Sequence, residues 1–267
     1  SDNQYNISRV LQTSSWRAIN WVTRGGDKKR VSIISLPIDI KEKNNDSFRY
    51  EFNVENHFVF GMHQRKDNSI FSPIPLEAYK MIEDDTTVFI LLGGGDRYKK
   101  QAEELSIKNI FFIEQSGDSE VIHKFLRTLD VFTHGRKDGE VNSQAMAEAM
   151  YFRLPIVSHI SSINNGHVEC VRDAGVVVTT VNEYAKEMRK LSTNKEYYNY
   201  RSKNSKKNFK ENYELNGQIK NMATIYEEVY NNPFPNKIYR ILMSLHYTQN
   251  LRLLAVYLYL KFKNLLV

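Results

Sequence analysis

The sequence predicts an α/β fold: a Rossmann-like parallel sheet flanked by helices, followed by a C-terminal helical tail. From residue 31 to about residue 180, short β-branched apolar runs alternate with longer stretches of helical periodicity. Most of these runs lack polar alternation, which is typical of strands covered on both faces. With 267 residues, 41% of them hydrophobic and 25% charged, the chain can bury a core, which excludes a disulfide mini-protein, a collagen or a disordered tail.

The apolar runs define the strands and the periodic stretches define the helices. Each helix is bounded by Gly, Pro, Asn or Asp. We expect about six of the strands to form one sheet. The predicted strands are 31–35, 57–60, 87–92, 109–113, 130–134, 155–159 and 175–178. The predicted helices lie at about 8–24, 74–83, 97–106, 118–128, 142–152, 182–193, 196–212 and 216–231.

Composition shifts divide the chain into three segments. A polar stretch, KEKNNDSFRYEFN, follows the strand that ends in SLPID, and it indicates a boundary near residues 40–55. The two prolines of NNPFPN interrupt any helix near residue 233. We therefore expect a first segment over 1–40, a Rossmann-like domain over 41–231 and a tail over 232–267.

The tail is basic, aromatic-rich and amphipathic. Between residues 237 and 263 it carries five Lys or Arg residues and no acidic residue. Such a stretch can cover another protein surface or lie on an anionic membrane surface, and the sequence leaves both open.

The formal charge of +6 is a modest basic excess that suits a phosphate-bearing partner. The basic residues are spread along the chain and offset by acidic ones, so we expect no nucleic-acid partner. The single cysteine, Cys170, excludes an intrachain disulfide and a thiolate zinc cage, and we expect it to be buried. The sequence contains no apolar run of spanning length and no signal peptide at its start, so we expect a cytoplasmic protein, with peripheral membrane contact left open.

The most informative stretch is HGRKDGEVNSQAMAEAMYFRLPIVSH, residues 134–159, where a strand ends in a glycine-containing loop and a helix begins at about Asn142. Open α/β sheets place ligands in such loops, and the backbone N–H groups of Asn142, Ser143 and Gln144 would suit a diphosphate. Glu148, nearly two turns into the helix, can accept hydrogen bonds from the two hydroxyls of a ribose. Glu140, in the loop just before the helix, would face the reacting group of the ligand, which lies beyond the phosphates.

The order of these features resembles the donor-binding half of GT-B glycosyltransferases of family 4. That family has a loop glutamate, a glycine three residues later, a helix ending in Glu-Ala-Met and then Gly-x-Pro-Val-Val. This chain keeps both glutamates, the EAM sequence and Pro155, but has Ser143 and Arg153 where the two glycines are usual. The resemblance covers residues 10–231 and implies the C-terminal half of a GT-B fold.

The resemblance also assigns roles to other segments. After the strand HFVFG, Arg65 and the adjacent Lys66 would neutralise the donor diphosphate, although Ile70 and Phe71 stand where the family lysine is usual. The glycine-rich turn that starts at Gly93 would lie beside the nucleotide. The wall of the base pocket would be formed by Ile113, Glu114 and Gln115.

The activity implied is transfer of a hexosyl group from a UDP- or GDP-sugar to an acceptor hydroxyl, with retention, without a metal and without a further cofactor. Glu140 would be the catalytic residue that orients the sugar. The acceptor, a glycan, lipid or protein, would bind through an N-terminal domain that the chain lacks, so the chain by itself should transfer little. The alternatives are a non-catalytic nucleotide-sugar-binding module, half of a two-chain enzyme, or an epimerase or hydrolase of the same architecture. The base, the sugar and the acceptor remain open.

Overall fold

A six-stranded parallel sheet with helices on both faces forms the centre of the protein, as the computed structural model of residues 8–232 shows. The strands are β1 (Val10–Gln12), β2 (Val31–Ile33), β3 (Phe58–Gln64), β4 (Thr87–Gly93), β5 (Ile110–Ile113), β6 (Val131–Thr133), β7 (Gly139–Glu140), β8 (Ile156–His159), β9 (Asn164–Asn165) and β10 (Gly175–Val178). Their order in the central sheet is β10-β8-β6-β3-β4-β5. The helices are α1 (Ser15–Thr23), α2 (Ile74–Lys80), α3 (Asp96–Glu104), α4 (Ser119–Thr128), α5 (Gln144–Tyr151), α6 (Val168–Val171), α7 (Val181–Thr193), α8 (Lys195–Asn212) and α9 (Leu215–Asn231).

The central strands are apolar at successive positions because both of their faces are covered. In β4, Ile90 and Leu92 pack into the core on one side of the sheet, and Phe89 and Leu91 pack into the core on the other. This follows from the alternation of side chains along a strand. The predicted fold class and the six-stranded sheet are therefore confirmed.

The N-terminal segment differs from its prediction. A single helix over 8–24 is wrong, because Val10–Gln12 forms β1, which pairs in parallel with β2 in a sheet separate from the central one. The helix α1 begins at Ser15, since Ser14 has an extended backbone and its side chain accepts a hydrogen bond from the N–H of Arg17. The predicted strand 31–35 ends at Ile33.

A glutamate connects α1 to the rest of the chain. The carboxylate oxygens of Glu169 accept hydrogen bonds from the backbone N–H groups of Ser15 and Trp16, each at 2.8 Å. These N–H groups have no partner within the helix, so a side chain from α6 caps the first turn of α1.

Besides β1, the strands β7 and β9 and the short helix α6 were not predicted. The helix predicted from about Asn142 begins two residues later, at Gln144, because Ser143 is its N-cap. Cys170 is 3% exposed, as expected. No helix within residues 8–232 is long and apolar enough to cross a membrane. The predicted contact through 237–263 lies outside the described residues.

The order of the strands places a crevice at the middle of the sheet. After β3 the chain adds β4 and β5 on one side, and it then crosses to the other side to form β6, β8 and β10. The change of direction falls between β3 and β6, and parallel α/β sheets bind their ligands beyond the carboxyl ends of the strands at such a point.

Candidate functional site

A cleft of about 310 Å³ opens at this point, beyond the ends of β3 and β6. It is formed by the segments that follow these two strands and by one face of α5. Its lining residues are His63, Gln64, Arg65, Ile122, His134, Arg136, Glu140, Gln144, Ala145 and Glu148. The cleft therefore brings together four of the predicted site residues, which are Arg65, Glu140, Gln144 and Glu148.

The N-terminus of α5 points backbone donors at the cleft. The hydroxyl of Ser143 accepts a hydrogen bond from the N–H of Met146 at 3.4 Å. The N–H groups of Gln144 and Ala145, in the first turn, have no partner within the helix, and both residues line the cleft. Because helix N-termini carry partial positive charge, these two groups can bind an anion.

Ser143 itself is 0% exposed, so its side chain acts as a helix cap below the surface of the cleft. The predicted diphosphate contacts of Asn142, Ser143 and Gln144 stay predictions, and of these three residues Gln144 lines the cleft. Asn142 is half-buried, and its side-chain oxygen lies 3.6 Å from Sγ of Cys170.

Glu148 reaches the cleft from the second turn of α5. Its Oε1 accepts a hydrogen bond from Nε2 of Gln144 at 2.9 Å. Burial raises the pKa of Glu148, and the hydrogen bond from Gln144 offsets only part of that effect. A half-buried carboxylate with few donors around it can accept two further hydrogen bonds from a ligand.

The position of Glu140 is fixed by the short parallel pair of β7 and β9. Gly139 has a φ of +62°, and a Cβ there would lie 1.8 Å from the carbonyl oxygen of Asn164. The carbonyl of Glu140 accepts a hydrogen bond from the N–H of His167 at 2.8 Å. Only glycine fits at position 139, and this close approach of two backbones sets the direction in which Glu140 leaves the loop.

The carboxylate of Glu140 lies between two basic side chains. Nη1 of Arg136 donates to its Oε1 at 2.9 Å, and Nε2 of His134 lies 3.3 Å from its Oε2. Burial would raise the pKa of Glu140, but the His134 imidazole, the Ser143 hydroxyl and the Arg136 guanidinium outweigh burial and lower the pKa to about 2. Glu140 is therefore ionised at neutral pH, so it can accept hydrogen bonds or stabilise positive charge but has no proton to donate.

Arg65 lies at the open rim of the cleft. Its Nε and Nη2 donate to Oδ2 of Asp67 at 3.2 and 3.0 Å. Lys66 does not line the cleft, and its Nζ lies 3.3 Å from Oδ1 of Asp96. Each of the two predicted phosphate contacts is thus paired with a nearby aspartate, and a phosphate would have to compete with that aspartate.

The residues predicted for the base pocket do not line this cleft, and their role stays a prediction. Gly93 has a φ of +79°, and a Cβ there would lie 2.1 Å from the carbonyl oxygen of Gln64, so the glycine-rich turn packs against the end of β3. Ile113 packs at the edge of the core, and Glu114 pairs with Lys99. The side-chain oxygen of Gln115 accepts from the N–H of Lys66 at 2.5 Å.

Two buried tyrosines hold the loops of the cleft in place. The hydroxyl of Tyr98 accepts from the N–H of Ser72 at 3.1 Å and donates to the carbonyl of Gly135 at 3.2 Å. The hydroxyl of Tyr184 accepts from the N–H of His134 at 3.0 Å and donates to the carbonyl of Val157 at 2.7 Å. Both side chains are 0% exposed, so the segments after β3 and β6 are anchored to the core.

Sequence reasoning missed His63 and Arg136 as cleft residues. Burial lowers the pKa of His63 to about 4, so its imidazole is neutral at neutral pH. Buried side-chain atoms without a hydrogen bond to the described residues include Nδ1 of His63, Nε2 of His134 and Oε2 of Glu140. Since buried polar atoms are normally satisfied, their collection around one cleft indicates a ligand site.

The chain belongs to the glycosyl transferases group 1 family. The model of that family matches residues 74–208, which is 135 of the 267 residues and runs from α2 into α8, so it includes the lining residues of the cleft other than His63, Gln64 and Arg65. The predicted resemblance is confirmed. No curated protein matches the sequence significantly.

Solved glycosyltransferase structures have a similar fold. HepE from Anabaena, in a complex with UDP and glucose, superposes with a TM-score of 0.70 at 18% identity, over 82% of this chain and 63% of that chain. A glycosyltransferase from Rickettsia africae superposes with a TM-score of 0.73 at 13% identity, over 86% of this chain and 66% of that chain. TarM from S. aureus, a G117R mutant in a complex that includes UDP, superposes with a TM-score of 0.65 at 15% identity. The superposition covers 84% of this chain and 45% of that chain. This chain thus spans less than two thirds of the length of these structures.

Proposed function

We propose that this chain is the donor-binding part of a glycosyltransferase that moves a hexosyl group from a nucleotide-diphosphate sugar to an acceptor hydroxyl. The observation that carries the proposal is the cleft between β3 and β6, where free helix N–H groups, Arg65 and two glutamates line one volume in a chain of this family. The donor is a UDP- or GDP-sugar. UDP is favoured because HepE and TarM have been crystallised with it.

The diphosphate lies at the N-terminus of α5. The N–H groups of Gln144 and Ala145 donate to its oxygens, and Arg65 turns from Asp67 toward it. Lys66 adds positive charge from the rim. As the bond to the sugar breaks, negative charge grows on the leaving diphosphate, and these groups stabilise it without requiring Mg²⁺.

The nucleoside and the sugar lie on opposite sides of the diphosphate. Glu148 accepts hydrogen bonds from the ribose hydroxyls on the side of Ile122 and Ala145. Glu140, ionised and held by Arg136, orients the transferred sugar. Retention of configuration is proposed from the family resemblance.

The acceptor approaches through an N-terminal domain, of which residues 1–40 are a remnant together with the crossing segment. The separate sheet of β1 and β2 supports this division, as does the length of the solved structures relative to this chain. The chain by itself should bind donor and transfer little.

Calorimetric titration of the chain with UDP, GDP and ADP in EDTA tests the proposal. We expect saturable binding of one of them, and an affinity that Mg²⁺ leaves unchanged. If the chain is folded by circular dichroism and binds none of the three, the proposal is wrong.

A non-catalytic nucleotide-sugar-binding module is the second candidate, and two side chains favour it. Ser143 caps the helix where the family glycine leaves the backbone open, and Ile70, in place of the family lysine, is 2% exposed. Supplying an N-terminal half in trans separates the two functions. Transfer of radiolabelled sugar to an acceptor would support the enzyme, and nucleotide binding without any transfer would support the module.

A further inference from the structure

An arginine held between two carboxylates forms one end of the cleft. Nε and Nη2 of Arg136 donate to the carboxylate of Asp138 at 3.0 and 2.8 Å, and Nη1 donates to Glu140 at 2.9 Å. We call these three residues the Arg136 cluster. A guanidinium has five N–H groups, and these contacts use three of them. The other two have no partner within residues 8–232, so they are available to a ligand.

The cluster is rigid and lies at the wall of the cleft. The Arg136 side chain is 16% exposed, and the residue lines the cleft together with Glu140. Its two anchors fix the plane of the guanidinium, so little conformational freedom is lost when the remaining N–H groups bind.

A buried histidine lies beside the cluster. His134 is 5% exposed, and its Nδ1 lies 2.9 Å from the hydroxyl of Ser158. Its Nε2 faces Oε2 of Glu140 at 3.3 Å without the alignment of a hydrogen bond. Nε2 of His134 and Oε2 of Glu140 thus contact each other without a well-aligned hydrogen bond, so a hydroxyl of a ligand can bond to either atom.

The charge of the cluster restricts what that ligand can be. One guanidinium and two carboxylates leave a net charge of −1, and Asp67 lies close enough to influence Arg136 as well. A hydroxyl can both accept from Arg136 and donate to a carboxylate. A carboxylate or phosphate can only accept, and it would meet the negative charge of the cluster at short range in a partly buried place.

We propose that the Arg136 cluster binds hydroxyl groups of a neutral hexose on the nucleotide diphosphate and discriminates against sugars that carry an anionic group. This inference rests on the proposed function, since it concerns the sugar end of the same donor site. It makes Arg136 a residue that determines donor specificity.

The test is titration of the full chain with UDP, UDP-glucose and UDP-glucuronate at pH 8 in EDTA. The two sugars differ at C6, where glucuronate has a carboxylate. We expect UDP-glucuronate to bind at least tenfold more weakly than UDP-glucose, a difference of about 1.4 kcal/mol. If the chain binds guanosine nucleotides instead, GDP-mannose and GDP-mannuronate replace the uridine pair.

Two variants locate the discrimination. Asp138→Asn removes one negative charge from the cluster and should lower the ratio of the two affinities at least threefold. Asp85→Asn removes the same charge from an exposed position outside the cleft and should leave the ratio unchanged. Arg136→Gln should reduce the affinity for UDP-glucose to that for UDP, whereas Arg24→Gln, at another exposed position, should not.

The outcomes separate this inference from the function on which it rests. Equal affinity for the two sugars, or equal ratios in Asp138→Asn and Asp85→Asn, would overturn the inference while the binding of UDP upholds the donor site. If a folded chain binds neither a nucleotide nor its sugar conjugate, the proposed function is wrong and this inference with it.

Discussion

Replacing Glu148 with glutamine should weaken nucleotide binding and at the same time stabilise the fold. Gln keeps the volume and can still accept a hydrogen bond from Gln144, which Oε1 of Glu148 now accepts at 2.9 Å. What is lost is the charge that strengthens the hydrogen bonds from the ribose. A hydrogen bond to a charged group exceeds a neutral one by about 1 kcal/mol, so two hydroxyls give about 2 kcal/mol, or roughly 30-fold in affinity.

Although Glu148→Gln should lower the affinity for nucleotide, it should raise the stability of the fold. Burial raises the pKa of Glu148 above its ordinary value of 4.5, so between these two pKa values the folded chain holds a proton that the unfolded chain has released. The stability that this proton contributes is present below the ordinary pKa and is lost as pH rises through the raised pKa. Glutamine carries no charge, so E148Q should melt at a higher temperature than the wild type at pH 8. The two melting temperatures should converge as pH falls toward 4.5.

Calorimetry with UDP and 2′-deoxy-UDP tests the ribose assignment. The deoxy nucleotide lacks one of the two ribose hydroxyls. E148Q should therefore reduce the affinity for 2′-deoxy-UDP by a smaller factor than the affinity for UDP. Glu103→Gln, at an exposed position on α3, is the matched control and should change neither affinity nor melting temperature. Equal losses for UDP and 2′-deoxy-UDP would refute the ribose assignment.

Three further predictions concern the rim, the cap and α1. Asp67→Asn should release Arg65, so UDP should bind more tightly at low salt while uridine binds as before; an unchanged UDP affinity would place Arg65 outside the site. Ser143→Ala should lower the free energy of unfolding by about 0.5–2 kcal/mol and Ser143→Gly by only a few tenths, as urea titration would show. Glu169→Gln should accelerate amide exchange in residues 15–23 without changing UDP affinity, and protection equal to the wild type would contradict the cap.

The central sheet could be predicted because the burial of its strands determines their amino-acid composition. A strand buried on both faces, such as β4, is apolar at nearly every position, and its short length and flanking turn residues distinguish it from a buried helix. The short strands β7 and β9 could not be predicted. Asn164–Asn165 is polar and only two residues long. It pairs with β7 because the backbones of Gly139 and Asn164 approach closely. This contact depends on the tertiary structure and leaves no periodic pattern in the sequence.

Part of the site could be predicted for a similar reason. Arg65, Glu140, Gln144 and Glu148 stand next to a strand end or within the first turns of a helix, positions that the sequence locates. Arg136 was missed because a charged residue after a strand resembles a solvated turn. Its place in the site comes from ion pairs with acidic residues two and four positions later, a spacing that would have been the available signal.

The most direct test of the proposed donor site is to map nucleotide binding onto backbone amides by NMR. If the diphosphate lies at the N-terminus of α5, addition of UDP in EDTA should shift the amides of Gln144 and Ala145 most strongly, with smaller shifts at Gly135 and Glu140. Shifts confined to the apolar groove between α1 and β2, lined by Ile19 and Ile33, would contradict the account.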